Sequence, residues 1–168
     1  VLMIGRGPQV EWAKEECRRK DIRNVFVLDP VPIDKMLEHY LSADVVLSPT
    51  RCFESFGRVA VEALLLGKPL IVTPRGGINE IVEGLEGSCM LVEDEAQLEM
   101  AMREVIENPG RLREMEHFSA MAPEVIKARF NHERLCVDYG CYYNMILSAE
   151  AKTPDWKQPR GRATARPG

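Results

Sequence analysis

Short apolar segments alternate with helical patterns along the first half of this chain. The apolar segments predict strands at 1–4, 24–28, 44–48, 70–73 and 89–92. Between them, apolar residues recur at helical spacing and predict helices at 8–20, 33–42, 58–66 and 78–83. Strands that alternate with helices are typical of βαβ units. The pattern therefore predicts an α/β fold with a doubly wound, Rossmann-like parallel sheet of about five strands.

The second half of the chain differs, because no strand pattern follows residue 92. Helical spacing predicts three helices, at 95–107, 109–129 and 131–148. We therefore assign residues 1–148 to one domain with a helical C-terminus. Residues 149–168 contain proline, glycine and charged residues but little that could be buried, so we expect them to form a disordered basic tail.

Charge is unevenly distributed along the chain. The net charge is −4, but residues 151–168 contain five basic residues and one acidic residue, so the preceding 150 residues carry −8. An acidic domain argues against nucleic acid as a partner. No apolar run approaches the ~18 residues of a membrane span. We expect a cytoplasmic location. Parts of the protein outside this chain could attach it to the cytosolic face of a membrane.

The five cysteines form no CxxC pair, and their odd number argues against a disulfide framework or a zinc cluster. The three histidines are scattered, so the sequence predicts no metal site. We expect reduced, buried thiols, as in a cytoplasmic compartment.

Two glutamates are the strongest candidates for chemistry. Glu54 lies in a polar turn that ends at Gly57, and Glu62 interrupts an otherwise apolar run at 59–66. A carboxylate in such a run is costly to bury unless something binds it. Backbone N–H groups at the start of the predicted helix lack intrahelical partners and favour an anion. A nucleoside diphosphate sugar would suit these features, with its ribose diol on Glu62, a phosphate at the helix N-terminus and its sugar near Glu54.

A simpler interpretation of both glutamates stays open. Glu62 could pair with Arg58 at the i, i+4 spacing of a helix. Glu54 could serve only to cap the same helix. Spacing alone does not choose between a ligand site and these local interactions.

The motifs around these glutamates resemble the C-terminal, donor-binding half of the retaining glycosyltransferases of family 4, which have the GT-B fold. That half carries an E-x7-E pattern, an A-x-G-x-P segment and a double glycine followed by a glutamate. Thr50 and Asn79 replace the usual serine and proline. The matching segments are Pro49-Thr50, Glu54-Ser55-Phe56-Gly57, Glu62-Ala63, Gly67-Lys68-Pro69-Leu70-Ile71 and Gly76-Gly77-Ile78-Asn79-Glu80-Ile81-Val82.

The resemblance implies roles for individual residues. Glu62 would hold the ribose hydroxyls of the donor, and Glu54 would be the catalytic residue, in contact with the transferred sugar near its reacting carbon. Phe56 and Gly57 would offer backbone N–H groups to the sugar or phosphate. The backbone at Val31 would meet the nucleobase.

The resemblance also implies that Gly76 and Gly77 shape the wall of the donor cleft. The implied reaction transfers a hexose or N-acetylhexosamine, with retention, from a UDP- or GDP-type donor to an unidentified acceptor. It would need neither a metal nor another cofactor.

Two parts of the family pattern have no counterpart in the chain. The basic pair that binds the diphosphate belongs to the first strand and helix of the family's domain, which would precede Val1. An N-terminal acceptor domain would lie further upstream, in cis or as a separate chain. We therefore expect the isolated chain to be inactive. Two alternatives are a non-catalytic nucleotide-binding or partner-docking module that needs a second domain or chain, and a purely structural domain with a vestigial cleft.

Overall fold

The structure is a computed structural model that describes residues 1–148. The chain divides into two compact units at Ile126 and Lys127. The predicted tail at 149–168 lies outside the described residues. The elements, in chain order, are β1 Leu2–Ile4, α1 Val10–Arg19, β2 Phe26–Leu28, α2 Ile33–Ser42, β3 Val46–Ser48, α3 Arg58–Leu65, β4 Leu70–Val72, α4 Ile78–Val82, a 3₁₀ turn Glu86–Ser88, β5 Cys89–Leu91, α5 Glu95–Glu107, α6 Pro109–Ser119, α7 Ala122–Arg129 and α8 His132–Ser148.

All strand pairs described in the first unit are parallel, which confirms the predicted α/β class. The strands lie in two hydrogen-bonded sheets, one of β1 and β2 and one in the order β3-β4-β5. Leu2 lies opposite Phe26 in the smaller sheet, and Leu70 lies between Val46 and Cys89 in the larger one. The smaller sheet contributes little to the core, since Leu2 and Phe26 are both exposed.

The core is built around β4, whose three residues are fully buried. Successive side chains of a strand point to opposite faces. Leu70 and Val72 belong to one apolar cluster with Ala63 and Leu64 of α3. Ile71 belongs to a second cluster, which also includes residues of α5 and α6. β4 is therefore covered on both faces, as in a doubly wound sheet.

The single helix predicted at 109–129 is two helices, which is a correction to the sequence-based prediction. α6 ends at Ser119, and α7 begins at Ala122. Pro123 explains the break: its ring nitrogen cannot donate to the carbonyl of Ser119, and the ring would clash with that carbonyl. Proline is tolerated in the first turn of a helix, where Pro123 lies in α7.

The second unit contains α8. Its first turn is capped by Asn131, whose side-chain Oδ1 accepts the Arg134 N–H at 2.7 Å. The helix continues through Gly140. Among residues 1–148, no helix is long and apolar enough to cross a membrane.

The prediction of buried thiols is wrong for most of the cysteines. All five are free, but Cys52, Cys136 and Cys141 are exposed and Cys17 is half-buried. Cys52 lies in the loop after β3, and the other two exposed thiols lie on α8. Only Cys89 is buried, and desolvation raises the pKa of its thiol to about 12.

Candidate functional site

The loop between β3 and α3, which carries Glu54, is fixed at both ends. At its start, the Thr50 N–H donates to the hydroxyl of the buried Thr73 at 3.2 Å, just beyond the end of β4. At its end, Gly57 is the N-cap of α3 and has a φ of 88°. A side chain at this position would be strained, and its Cβ would lie 2.7 Å from Ile78 Cγ1. Gly57 thus lets α3 begin close against α4.

The carboxylate of Glu54 turns back onto its own loop. Its Oε1 accepts the N–H of Gly57 at 3.1 Å and that of Phe56 at 3.3 Å. This is the capping interaction that the sequence left open, and it satisfies donors at the start of α3. The N–H groups expected to meet a sugar or phosphate therefore contact a carboxylate of the protein itself.

The Gly76–Gly77 turn packs directly against this loop, backbone to backbone. The Gly77 N–H donates to the carbonyl of Glu54 at 2.8 Å. A Cβ at Gly76 would lie 2.2 Å from that carbonyl oxygen, and one at Gly77 would lie 2.3 Å from the carbonyl oxygen of Ser55. The double glycine is thus required by the close approach of two loops. The structure thus brings the Glu54 loop, which ends at Gly57, and the Gly76–Gly77 turn together.

Glu62 lies one turn into α3, on the side that is not buried. The helix buries Ala60, Ala63 and Leu64, whereas Arg58 and Leu65 are exposed on the side that carries Glu62. The side chain of Glu62 is 30% exposed. The apolar run therefore does not place the carboxylate in the core. Three small or aliphatic residues suffice to bury one face of this short helix, which leaves Glu62 accessible to a ligand.

Both carboxylate oxygens of Glu62 have partners. Arg58 Nη2 contacts Oε1 at 3.1 Å, which is the i, i+4 pair that the sequence left open. The hydroxyl of Tyr40 on α2 donates to Oε2 at 2.9 Å. Burial is the main cause that raises the pKa of Tyr40 above its usual range, and the hydrogen bond to Glu62 raises it further. The phenol therefore stays protonated. Sequence reasoning missed Tyr40, because it falls in the apolar stripe of α2; its one signal is a hydroxyl within that stripe.

Val31 lies in the loop before α2, half-buried and next to the N-cap Pro32. The same helix carries Tyr40 near its other end. α2 therefore links the predicted nucleobase position to the Glu62 carboxylate.

The arginines near the Glu54 loop are engaged locally. Arg51 forms an ion pair with Glu95. Arg75 Nη1 donates to the carbonyl of Arg51 at 3.1 Å, and Arg58 pairs with Glu62 as described above. The described part of the chain contains no group of three or more His, Cys, Asp or Glu side chains that could hold a metal ion.

A cavity of about 340 Å³ lies elsewhere, beside the Gly5–Pro8 turn. It is lined mainly by apolar atoms of β1 and α1, among them Met3 and Trp12. Its lining includes neither Glu54 nor Glu62. No carboxylate lines this cavity, whereas the Glu54 carboxylate meets two backbone donors at the start of α3, so the Glu54 loop is the candidate site.

The parallel strands that alternate with helices define a Rossmann-like α/β class of domain, and comparison with known families gives the family. The model for "Glycosyl transferases group 1" matches residues 1–124, and the chain belongs to this family.

Curated relatives are similar to the chain over part of their length. Glycogen synthase of Mycobacterium tuberculosis is 32% identical over 115 residues, which are 66% of the chain and 27% of that enzyme. A D-inositol 3-phosphate glycosyltransferase of Geodermatophilus obscurus is 38% identical over 80 residues, which are 47% of the chain and 18% of that enzyme. The chain therefore spans roughly a quarter or less of the length of these relatives.

Solved structures share the fold. HepE of Anabaena, in complex with UDP-glucose, matches 86% of the chain and 40% of its own length, with a TM-score of 0.68 and 23% identity. Sucrose-phosphate synthase of Thermosynechococcus elongatus matches 88% of the chain and 38% of its own length, with a TM-score of 0.65 and 24% identity. The chain thus shares its α/β fold with about two fifths of each of these proteins.

Proposed function

We propose that this chain is the C-terminal, donor-binding domain of a family 4 retaining glycosyltransferase. The enzyme would transfer a hexose or N-acetylhexosamine from a UDP- or GDP-type nucleotide sugar to an acceptor. One observation carries this proposal: the Glu54 loop and the Gly76–Gly77 turn are bonded together at the start of α3, and the accessible Glu62 lies one turn further along. Membership of the group 1 glycosyl transferases and the fold shared with a UDP-glucose complex support it.

Glu62 would bind the ribose of the donor. An ionised carboxylate is a pure acceptor with about four lone-pair sites, and it can therefore accept both hydroxyls of a vicinal diol. Arg58 is 76% exposed on the same helix and can swing away from Oε1 at little cost. The local pair is therefore compatible with ligand binding.

Glu54 would change partners when the donor binds. In the structure its carboxylate occupies the N–H groups of Phe56 and Gly57. A sugar or phosphate oxygen that accepted these N–H groups would release the carboxylate, which could then contact the transferred sugar near its reacting carbon. The negative charge that develops on the leaving diphosphate would face the positive end of the α3 dipole.

Val31, Gly76 and Gly77 would complete the donor site. The backbone at Val31 would meet the nucleobase, and the double glycine would form part of the cleft wall. The proposed reaction uses no metal. A cytoplasmic location completes the proposal.

The engaged arginines favour a second candidate. Each of Arg51, Arg58 and Arg75 has a local partner in the structure, which favours a positive site for the diphosphate that comes from another segment, domain or chain. Under this alternative, the chain is a nucleotide-binding or docking module that is not catalytic by itself. Sugar transfer by the isolated 168 residues would contradict it.

The test is calorimetry of UDP and GDP binding to the full-length protein and its Glu62→Ala variant. We expect the variant to bind the cognate nucleotide about 10- to 100-fold more weakly, because hydrogen bonds to a charged group are lost. Glu38→Ala is the control, since Glu38 lies on α2 in a local pair with Lys35 at 2.7 Å. Equal affinity of the Glu62→Ala variant and the unmodified protein for both nucleotides would refute the assignment.

Glu54→Ala separates catalysis from binding. We expect its affinity for the nucleotide to stay within about threefold, while turnover falls on the order of 100-fold or more. Unchanged turnover in this variant would remove Glu54 from the reaction.

A further inference from the structure

The carboxylate of Glu62 is held by two groups of different character. Arg58 reaches Oε1 from the same helix, with most of its side chain in solvent. Tyr40 reaches Oε2 from α2, 22 residues earlier in the chain. Its ring is half-buried and packs against the larger apolar cluster of the core. Tyr40 therefore ties Glu62 to the framework of the domain, whereas Arg58 does not.

A protonated phenol suits this role. The raised pKa of Tyr40 keeps the O–H available as a donor throughout the neutral range. A tyrosine has only two side-chain torsions, and packing of the ring against the core restricts both. The hydroxyl therefore fixes the rotamer of Glu62 by means of a single hydrogen bond.

The arrangement leaves room for a ligand on the carboxylate. Tyr40 uses one lone pair of Oε2. The second lone pair of Oε2 remains, and both lone pairs of Oε1 become available once Arg58 moves. Two adjacent hydroxyls could thus be accepted while the tyrosine stays in place.

We propose that Tyr40 is a positioning residue, whose hydroxyl orients the Glu62 carboxylate to accept the two ribose hydroxyls of a nucleoside diphosphate. The inference rests on the proposed function of Glu62. Tyr40 contacts the carboxylate, and the proposal gives it no contact with the ribose. Its removal should therefore weaken binding only for ligands that carry the hydroxyls.

The experiment compares UDP and GDP with their 2′,3′-dideoxy counterparts, by calorimetry on the full-length protein. Tyr40→Phe removes the hydroxyl and keeps the ring, and circular dichroism and a thermal melt check that the fold is intact. We expect Tyr40→Phe to weaken binding of the cognate nucleotide about three- to tenfold, because the Glu62 side chain would then have to be ordered when the ligand binds. We expect no change for the dideoxy compound. Tyr142→Phe, at an exposed tyrosine of α8, is the matched control and should change neither affinity.

Two further variants test the route of the effect. In a Glu62→Ala background, Tyr40→Phe should have no additional effect on the ribonucleotide, because the oriented group is gone. Arg58→Ala should leave binding unchanged or slightly tighter, since it removes a competitor for Oε1. Equal weakening of the ribonucleotide and the dideoxynucleotide by Tyr40→Phe would indicate a general structural role and overturn the inference. Unchanged affinity for both would overturn it as well.

Failure of the proposed function gives a different result. If the unmodified protein binds the ribonucleotide and its dideoxy counterpart equally well, the ribose is not recognised, and the role of Glu62 falls together with that of Tyr40. If the unmodified protein discriminates and Glu62→Ala abolishes the discrimination, while Tyr40→Phe preserves it, only the role of Tyr40 falls.

Discussion

The double glycine offers a test in which the backbone of the site can be perturbed one factor at a time. Gly76 has a φ of 63° and its Cβ position meets the Glu54 carbonyl. Gly77 has a φ of −62°, so an alanine there meets only the steric problem, at the Ser55 carbonyl. Gly84 has a φ of 74° and open space around it. Alanine at Gly77 therefore tests the steric effect alone, and alanine at Gly84 tests the conformational effect alone. Alanine at Gly76 tests the two effects together.

The structure sets the expected size of each effect. At Gly84, alanine should lower the free energy of unfolding by about 1 kcal/mol, the cost of a left-handed conformation. At Gly77, the Cβ would lie 2.3 Å from a backbone oxygen, where an ordinary contact begins near 3.4 Å. One loop must move by about 1 Å, which also disturbs the Gly77-to-Glu54 hydrogen bond, so we expect a loss of about 2–4 kcal/mol. Gly76→Ala should cost about 3–5 kcal/mol, since it combines both.

Urea unfolding monitored by circular dichroism would measure these differences. Nucleotide affinity under native conditions is a second measurement. Displacement of the Glu54 loop should weaken binding in Gly77→Ala but not in Gly84→Ala. The reasoning would be refuted if Gly77→Ala were no less stable than Gly84→Ala, since the close approach of the two backbones would then not exist in solution.

Two other predictions concern the core and the thiols. Leu64→Ala, at a fully buried position, should lower the free energy of unfolding by about 2–5 kcal/mol, whereas Leu41→Ala, at an exposed one, should change it by less than about 1 kcal/mol; equal losses in urea unfolding would contradict the described core. Iodoacetamide at pH 8 should modify Cys52 rapidly and Cys89 only after unfolding, because burial keeps the Cys89 thiol protonated and out of reach; peptide mass spectrometry would detect the difference, and equal rates would argue against it.

The sequence predicted the elements of the first unit well, because their signals are local. The helix predicted at 33–42 has the observed bounds, and the strand predicted at 70–73 is one residue longer than β4. The helix has an apolar periodicity of the right length, and the strand is a continuous apolar segment of the right length. The break before α7 has a local signal too, Pro123, which the single predicted helix at 109–129 does not take into account.

The partners of the site residues could not be predicted in the same way. The contact between Tyr40 and Glu62 joins two helices, and nothing in the spacing of either helix specifies the other. The approach of Gly77 to Glu54 joins two loops through backbone atoms. Because backbone atoms are the same in every residue, the sequence does not specify which of them meet. The double glycine did signal a special conformation, but only the structure shows which carbonyls make a side chain impossible there.

The two glutamates therefore differ in what binding would require of them. The Glu62 carboxylate is already held by the framework through Tyr40, so a diol need only displace an exposed arginine. Glu54 must leave two backbone N–H groups, and these donors must find new acceptors in the same step, because unsatisfied donors are costly. An uncharged nucleoside supplies hydroxyls for Glu62 but no anion for the start of α3. A nucleoside should therefore engage Glu62 alone, whereas a diphosphate sugar can also release Glu54.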